Sequence, residues 1–227
     1  MSRDSFCMAT HDGERWVAAQ LASILAQLDP DDEVVVCDDA SSDRTLAIVR
    51  SFGDGRVRVL EGRSFRSPVR TFEEALRNAT GDVLALSDQD DVWLPGRAAV
   101  IRERFAARQG GVHLLALDAV VTDAAGATTA PSLFAKIGAG PGLLKNVYAN
   151  TYVGCCLAFC RELLDVALPF PAGLPMHDMW LGLLAERFGT VEFISGQWLA
   201  YRRHDAAATS FRREFRPIVQ IRRRINL

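Results

Sequence analysis

Lysine is nearly absent from this chain. Among 26 basic residues the only lysines are Lys136 and Lys145. Charge of one sign is not in excess either: 28 acidic residues leave a formal net charge of −2, so there is no bulk electrostatic case for nucleic acid as a partner. Cysteine is sparse. Cys7, Cys37, Cys155, Cys156 and Cys160 form an odd set without framework spacing, which argues against a disulfide scaffold. The last three lack a Cys-x-x-Cys pair and sit in an apolar stretch, so they read as buried thiols and not as a zinc site. Such usage fits a reducing cytoplasm, and no signal-peptide pattern opens the chain. No run of 18 apolar residues occurs, and Asp118 interrupts even Leu114–Val121, so no membrane-spanning helix is expected. A glycine-rich phosphate loop is missing too. Gly138-Ala139-Gly140-Pro141-Gly142 has the wrong glycine spacing, a proline and no following Lys-Ser/Thr.

What is present is a globular composition, 49% hydrophobic and 24% charged, over 227 residues, enough for a sizeable core. Short apolar runs at Phe6–Ala9, Val34–Cys37, Val57–Leu60 and Val83–Leu86 read as strands. Helical patterns separate them at Glu14–Gln27, from Ser42–Thr45 to Phe52, and at Pro68–Asn78. This alternation predicts an α/β domain with a mainly parallel central sheet flanked by helices. Further on, Pro95–Arg108, Arg161–Ala167 and His177–Phe188 read as helices. Val112–Val121 reads as one long strand, and Tyr152–Phe159 and Trp198–Tyr201 as two more. No regular structure is expected over Thr122–Gly142.

Two of the early strands end in carboxylates: Asp38-Asp39, and Asp88-Gln89-Asp90-Asp91. In open α/β sheets ligands bind at the carboxyl ends of strands, so both clusters are expected to face one pocket. Clustered carboxylates repel unless a cation lies between them. Mg²⁺ in particular takes one or two carboxylates plus substrate phosphates. An enzyme that handles a phosphorylated substrate through a divalent cation follows. Asp43 suits the cap of the helix at Thr45, which leaves Asp39 for a ligand. Trp93 is expected in the core. Asp178 and His177 lie in the first turn of their helix, where a carboxylate also complements the helix dipole.

Six segments in order carry a resemblance: Ala9-Thr10-His11-Asp12-Gly13-Glu14, Asp38-Asp39-Ala40-Ser41-Ser42-Asp43-Arg44-Thr45, Ser87-Asp88-Gln89-Asp90-Asp91-Val92-Trp93, Asn150-Thr151-Tyr152-Val153-Gly154-Cys155, His177-Asp178-Met179-Trp180-Leu181 and Tyr201-Arg202-Arg203-His204. The chain resembles a family 2 glycosyltransferase of the GT-A fold, near the bacterial rhamnosyltransferase-like branch. The resemblance implies an inverting transfer of a sugar from a nucleotide-diphosphate donor, dTDP- or UDP-linked, to a hydroxyl of a glycan or lipid-linked acceptor. It implies nucleotide contacts from Thr10, Asp12, Asp39 and Asp88, and Mn²⁺ or Mg²⁺ on Asp88 and Asp90 with His204 completing the site. Asp178 would be the general base, with Asp91, His177, Trp180, Arg202 and Arg203 in support. Two departures stand out: Asp12 and Thr71 occupy positions where the family usually has asparagine, which bears on donor identity more than on reaction class.

The expected organisation is one domain over residues 1–210, with a nucleotide-sugar half at 1–110 and an acceptor half at 111–210. A basic amphipathic tail follows at 211–227. Its arginines interleave with Phe211, Phe215, Ile218, Val219, Ile221 and Ile225, a pattern that suits either an anionic membrane surface or a solvated packing helix. The expected location is cytoplasmic, with peripheral contact at the inner face of the cell membrane. Rival readings are a sugar nucleotidyltransferase, which would carry a glycine-rich basic loop after its first strand, and a non-catalytic nucleotide- or glycan-binding domain.

Overall fold

The computed structural model describes residues 3–204; the basic tail and its proposed membrane contact lie outside the described residues. The first half alternates as the sequence predicts: β1 (Asp4–Thr10), α1 (Val17–Leu25), β2 (Glu33–Asp38), α2 (Thr45–Ser51), β3 (Val57–Leu60), α3 (Pro68–Asn78) and β4 (Val83–Asp88). β1 and β2 are buried on both faces because successive side chains feed opposite helical layers. Phe6, Met8, Val34 and Val36 pack with Val17, Leu21 and Ile24 of α1. Cys7, Val35 and Cys37 pack with Phe72, Ala75 and Leu76 of α3. Ser67 caps α3 by accepting the Arg70 N–H, and Pro68 occupies its first turn.

The second half runs β5 (Val92–Trp93), α4 (Arg97–Ala106), β6 (Val112–Leu117), β7 (Val120–Thr122), β8 (Thr128–Ala130), α5 (Leu133–Ile137) and α6 (Leu143–Tyr148). A 3-10 turn at Gly154–Cys156 then leads to β9 (Leu157–Cys160), α7 (Glu162–Ala167), α8 (His177–Phe188), β10 (Gly189–Ile194) and β11 (Leu199–Arg202). The main sheet has seven strands in the order β10-β6-β9-β4-β1-β2-β3. All its pairings are parallel except those of β9 with β4 and β6. A second sheet, β5-β11-β7-β8, is built where the chain continues past the carboxyl ends of β4, β6 and β10.

Three expectations are corrected. The single strand over Val112–Val121 is two strands in different sheets, because the buried Asp118 breaks it. Its carboxylate accepts the N–H groups of Ala119 (2.7 Å) and Phe134 (2.9 Å) and the Ser132 hydroxyl (2.5 Å), which fixes the crossover. Thr122–Gly142 is not irregular: Asp123 and Gly126 turn the β7–β8 hairpin, and Ser132 caps α5, which ends at a left-handed Gly138. Within Tyr152–Phe159 the strand proper begins only at Leu157, after the 3-10 turn.

Candidate active site

Both acidic clusters stand at the carboxyl edge of the main sheet, on the two strands that flank β1, but neither cluster lines the cavity found beside them. β4 delivers Asp88, and the turn after it delivers Asp90 and Asp91. The strand end is held from below by Gln20, whose amide donates to Ser87 Oγ at 2.6 Å and to the Asp88 carbonyl at 2.9 Å. Gln89 clasps the loop after β1. Its Oε1 accepts the His11 N–H at 2.9 Å and its Nε2 donates to the His11 carbonyl at 2.8 Å. A Cβ at position 13 would stand 2.1 Å from Gln89 Oε1, so this clasp requires Gly13.

β11 brings the last motif to the same place. Arg202 donates its backbone N–H to Asp91 Oδ1 at 2.9 Å and its Nε to the Asp90 carbonyl at 2.9 Å. His204 Nε2 lies 2.7 Å from Asp90 Oδ2. Trp16 orders this group: its ring stacks on His204 at 5.5 Å, and the guanidinium groups of Arg15 and Arg202 lie 4.2 and 4.3 Å from its centroid. A cavity of about 610 Å³ opens here, lined by Asp12, Arg15, Trp16, Asp123, Arg203 and His204 among others. Trp16 stands just before α1 and lines this cavity, although its apolar spacing with Val17, Leu21 and Ile24 reads as part of the packed face.

Burial, together with the charges of Asp90 and Asp178, pushes the Asp88 carboxyl up to about 7. Burial and the charges of Asp90 and Asp88 push Asp91 well above the usual carboxylate range, and its Oδ2 is buried without a partner. A divalent cation relieves both conditions. The donors also suit a hard one: carboxylate oxygens with the His204 imidazole beside them. Cys155 Sγ lies among Asp88 and Asp91, within 4.8 Å of their oxygens. A hydrogen bond with Cys156, and burial, raise its thiol pKa, so it stands as a neutral S–H donor toward the carboxylates. Asp88 and Asp91 thus offer a divalent cation oxygen ligands with the Cys155 thiol beside them, while His204, the expected third ligand, lies against Asp90.

The expected nucleotide contacts divide. Asp12 borders the cavity, with φ 45°, and its carboxylate accepts the Ser42 N–H at 2.7 Å. Thr10 is buried and its hydroxyl is spent on Asp38 at 2.8 Å. Asp39 is surrounded by four donors: the N–H groups of Phe65, Arg66 and Ser67 and the Thr71 hydroxyl. Burial opposes its charge, but those hydrogen bonds outweigh it and lower its pKa. Thr71, one of the two departures from the family pattern, thus has a partner in Asp39.

Asp178 sits buried in the first turn of α8. Burial raises its pKa to about 6, against hydrogen bonds from Met179 N–H (2.5 Å), Asn150 Nδ2 (3.3 Å) and Gly154 N–H. It is close enough to Asp88 that its charge helps raise the Asp88 pKa. His177 packs on Phe72 at 4.4 Å and against Gly154, neither ring nitrogen has a partner, and burial lowers its pKa to about 4. It is a neutral packing group. Trp180 donates to the Ala167 carbonyl at 3.0 Å, which ties α8 to α7. Trp93 lies in the core edge-on to Phe6. Arg97, wholly buried, went unnoticed in the sequence; its Nη2 donates to the Cys155 carbonyl at 2.6 Å.

Known proteins share the family pattern and the fold. The glycosyl transferase family 2 model matches residues 5–165. An Escherichia coli UDP-Glc:alpha-D-GlcNAc-diphosphoundecaprenol beta-1,3-glucosyltransferase, WfgD, is 24% identical over 80% of this chain and 70% of its own. The dTDP-rhamnosyl transferase RfbG of Shigella flexneri is 33% identical over 38% of this chain and 32% of its own. In structure, S. aureus TarS 1-349 superposes with a TM-score of 0.70 at 22% identity, over 88% of this chain but 60% of that one. Glucosyl-3-phosphoglycerate synthase from Mycobacterium tuberculosis, solved with Mn²⁺ and UDP, gives 0.63 at 18% identity, over 89% and 73%. These neighbours share the GT-A scaffold, and the chain belongs to glycosyl transferase family 2.

Proposed function

We propose that this chain is an inverting, metal-dependent glycosyltransferase that moves a sugar from a dTDP- or UDP-linked donor to a hydroxyl of a glycan or lipid-linked acceptor. The observation that carries the reading is the separation of roles around one edge: Asp88, Asp90, Asp91 and His204 gather on one side, and Asp178 on another element within electrostatic reach of them. Asp88 and Asp90, with His204, would hold Mn²⁺ or Mg²⁺. When bound, the cation stabilises the negative charge of the departing nucleoside diphosphate as a Lewis acid. Asp178 takes the proton of the acceptor hydroxyl as its oxygen bonds to the anomeric carbon and the carbon–oxygen bond to the diphosphate breaks. A base so placed contributes roughly 10²–10⁴-fold. With a pKa of about 6, Asp178 is ionised, and so competent, above that pH.

Support for the donor and metal comes from what the neighbours are named or crystallised with: UDP-GlcNAc in TarS, GDP-Man and Mn²⁺ in a Pyrobaculum calidifontis mannosyltransferase, UDP and Mn²⁺ in the synthase. The named substrate of WfgD supports a lipid-linked acceptor, and hence a cytoplasmic site at the inner face of the membrane. Among the described residues no helix is long and apolar enough to cross a membrane. The test is a calorimetric screen of nucleotide sugars with and without Mn²⁺, run on the wild type and on Asp178→Asn. The variant is expected to keep donor affinity and lose transfer. Retained turnover would remove Asp178 as base, and donor binding indifferent to Mn²⁺ would remove the metal.

A further inference from the structure

From Ala124 to Arg161 the chain has no aspartate or glutamate, although it holds 28 acidic residues overall, and this same stretch carries its only lysines, Lys136 and Lys145. The helices α5 and α6 lie within it. α6 buries only Asn146 and turns its apolar residues outward: Leu144 is 84% exposed, Tyr148 75%, and Leu143 and Val147 37% each. These are four of the six exposed large hydrophobics among the described residues, so the apolar surface is concentrated on one short helix and not scattered. Beyond it, Phe188 at the end of α8 is half exposed, with the Arg187 guanidinium 5.2 Å from its ring.

The helix is firmly mounted. Asn146 donates to the Gly140 carbonyl at 3.1 Å and accepts both the N–H and the hydroxyl of Thr151. Glu186 of α8 accepts the Gly142 N–H at 2.7 Å and the Tyr152 hydroxyl at 2.7 Å. The chain then runs from α6 straight into Asn150, whose amide reaches Asp178. A rigid apolar wedge is thus bonded to the base through a few residues.

We propose that α6, which carries Lys145, together with Lys136 of the preceding α5, is a contact surface for an anionic lipid bilayer, seating the acceptor end of the site against the membrane. The assignment deepens the transferase reading and rests on it for the purpose of the contact. Exposed leucine and valine enter the headgroup boundary, tyrosine sits at that depth, and lysines meet lipid phosphates. Charge selects this occupant over others. A second copy would set lysines against lysines, and the segment 211–227, with six arginines and one glutamate, repels the same face.

The experiment is co-sedimentation of the full chain with phosphatidylcholine vesicles, with and without phosphatidylglycerol. The wild type is expected to prefer the anionic vesicles. Lys136→Gln with Lys145→Gln should weaken that binding about fivefold per lysine, and Leu144→Gln with Tyr148→Gln by about tenfold. Both pairs should keep their melting temperature and their nucleotide-sugar affinity. Unmoved vesicle binding in either pair overturns the proposal. So does equal binding to neutral vesicles, or a wild-type dimer that the Leu144/Tyr148 pair dissociates in sedimentation velocity. Failure of the transferase reading looks different: no donor binding in the wild type, whatever the vesicles do.

Discussion

Replacing Asn150 by alanine probes the electrostatics of Asp178, the proposed base. The Asp178 carboxylate is held at about 6 by burial, which disfavours its charge, against N–H donors that favour it. Asn150 Nδ2 is one donor, at 3.3 Å, a long contact. Hydrogen bonds to charged groups contribute about 1.5–3 kcal/mol at good geometry, so about 1 kcal/mol is reasonable here, or about 0.7 pH unit. Losing the donor raises the pKa further, so the acidic limb of kcat/KM should move up by about 0.7. At pH 6 the ionised fraction then falls from about one half to about one sixth, a roughly threefold loss, while at pH 8 both forms are about 95% ionised or more and the loss vanishes. Asn150 also bonds the backbone of Tyr152, through the Tyr152 carbonyl at 3.3 Å and its N–H at 3.1 Å. If the substitution only loosened that turn, the rate would drop equally at every pH. A pH-independent loss, or a limb that moves down, refutes the assignment of the limb to Asp178.

Two further outcomes concern the metal and the packing around the base. Asp90→Ala removes the partner of His204 and should lower Mn²⁺-dependent nucleotide affinity by at least about 100-fold, with His204→Ala costing about 10–100-fold; unchanged calorimetric affinity with Mn²⁺ present would reject both ligands. Gly154→Ala would place a Cβ 2.7 Å from His177 Nε2 and should cost about 1–3 kcal/mol in denaturant unfolding. His177→Ala on top of it should restore part of that loss, and strictly additive losses in the double-mutant cycle would show that the two residues do not compete for the space.

The parts of the fold that were legible share one property: each announces itself within a dozen residues. β1, β2 and β4 are buried on both faces and read as unbroken apolar runs, and α3 carries its own Ser-Pro start. β5, with two residues, is too short to have a period, and so is the five-residue α5. β10 follows α8 with no intervening loop and lies at the sheet edge, mostly half-exposed, so neither a turn nor a buried run marks it. In the site, the carboxylates at the ends of β2 and β4 were visible because strand ends are visible. Asp178 was not, since a carboxylate in a first helical turn looks the same whether it complements a dipole or abstracts a proton; only the family resemblance pointed to the second role. Asp39 shows the opposite limit. Local capping logic left it without a partner, and backbone N–H groups 26 to 28 residues away supply three. Gln20, Arg97 and Asn150 were missed for the same reason, their key partners being a strand end, a carbonyl and a carboxylate distant in sequence.

The reversed strand β9 explains how the turn that bonds Asp178 comes to stand beside the carboxylates of β4. In a parallel strand the chain leaves the sheet at the carboxyl edge, so Asp38-Asp39 and Asp88–Asp91 follow β2 and β4. β9 runs the other way: Cys160 pairs with Val83 at the start of β4 and Ala158 with Ala85 further along, so the segment that enters β9 stands at the carboxyl edge. That segment is the 3-10 turn Gly154–Cys156, and each of its first two residues faces a different part of the site. Gly154 gives its N–H to Asp178. Cys155 sets its thiol among Asp88 and Asp91 and its carbonyl on the buried Arg97. One turn thus touches both Asp178, the proposed base, and the carboxylates proposed to hold the diphosphate. In the proposed inverting displacement the base and the leaving group would lie on opposite faces of the anomeric carbon, so both sets of groups must border one cleft. The antiparallel strand between β4 and β6 brings that turn to the carboxyl edge, where a parallel one would have carried it to the far edge of the sheet.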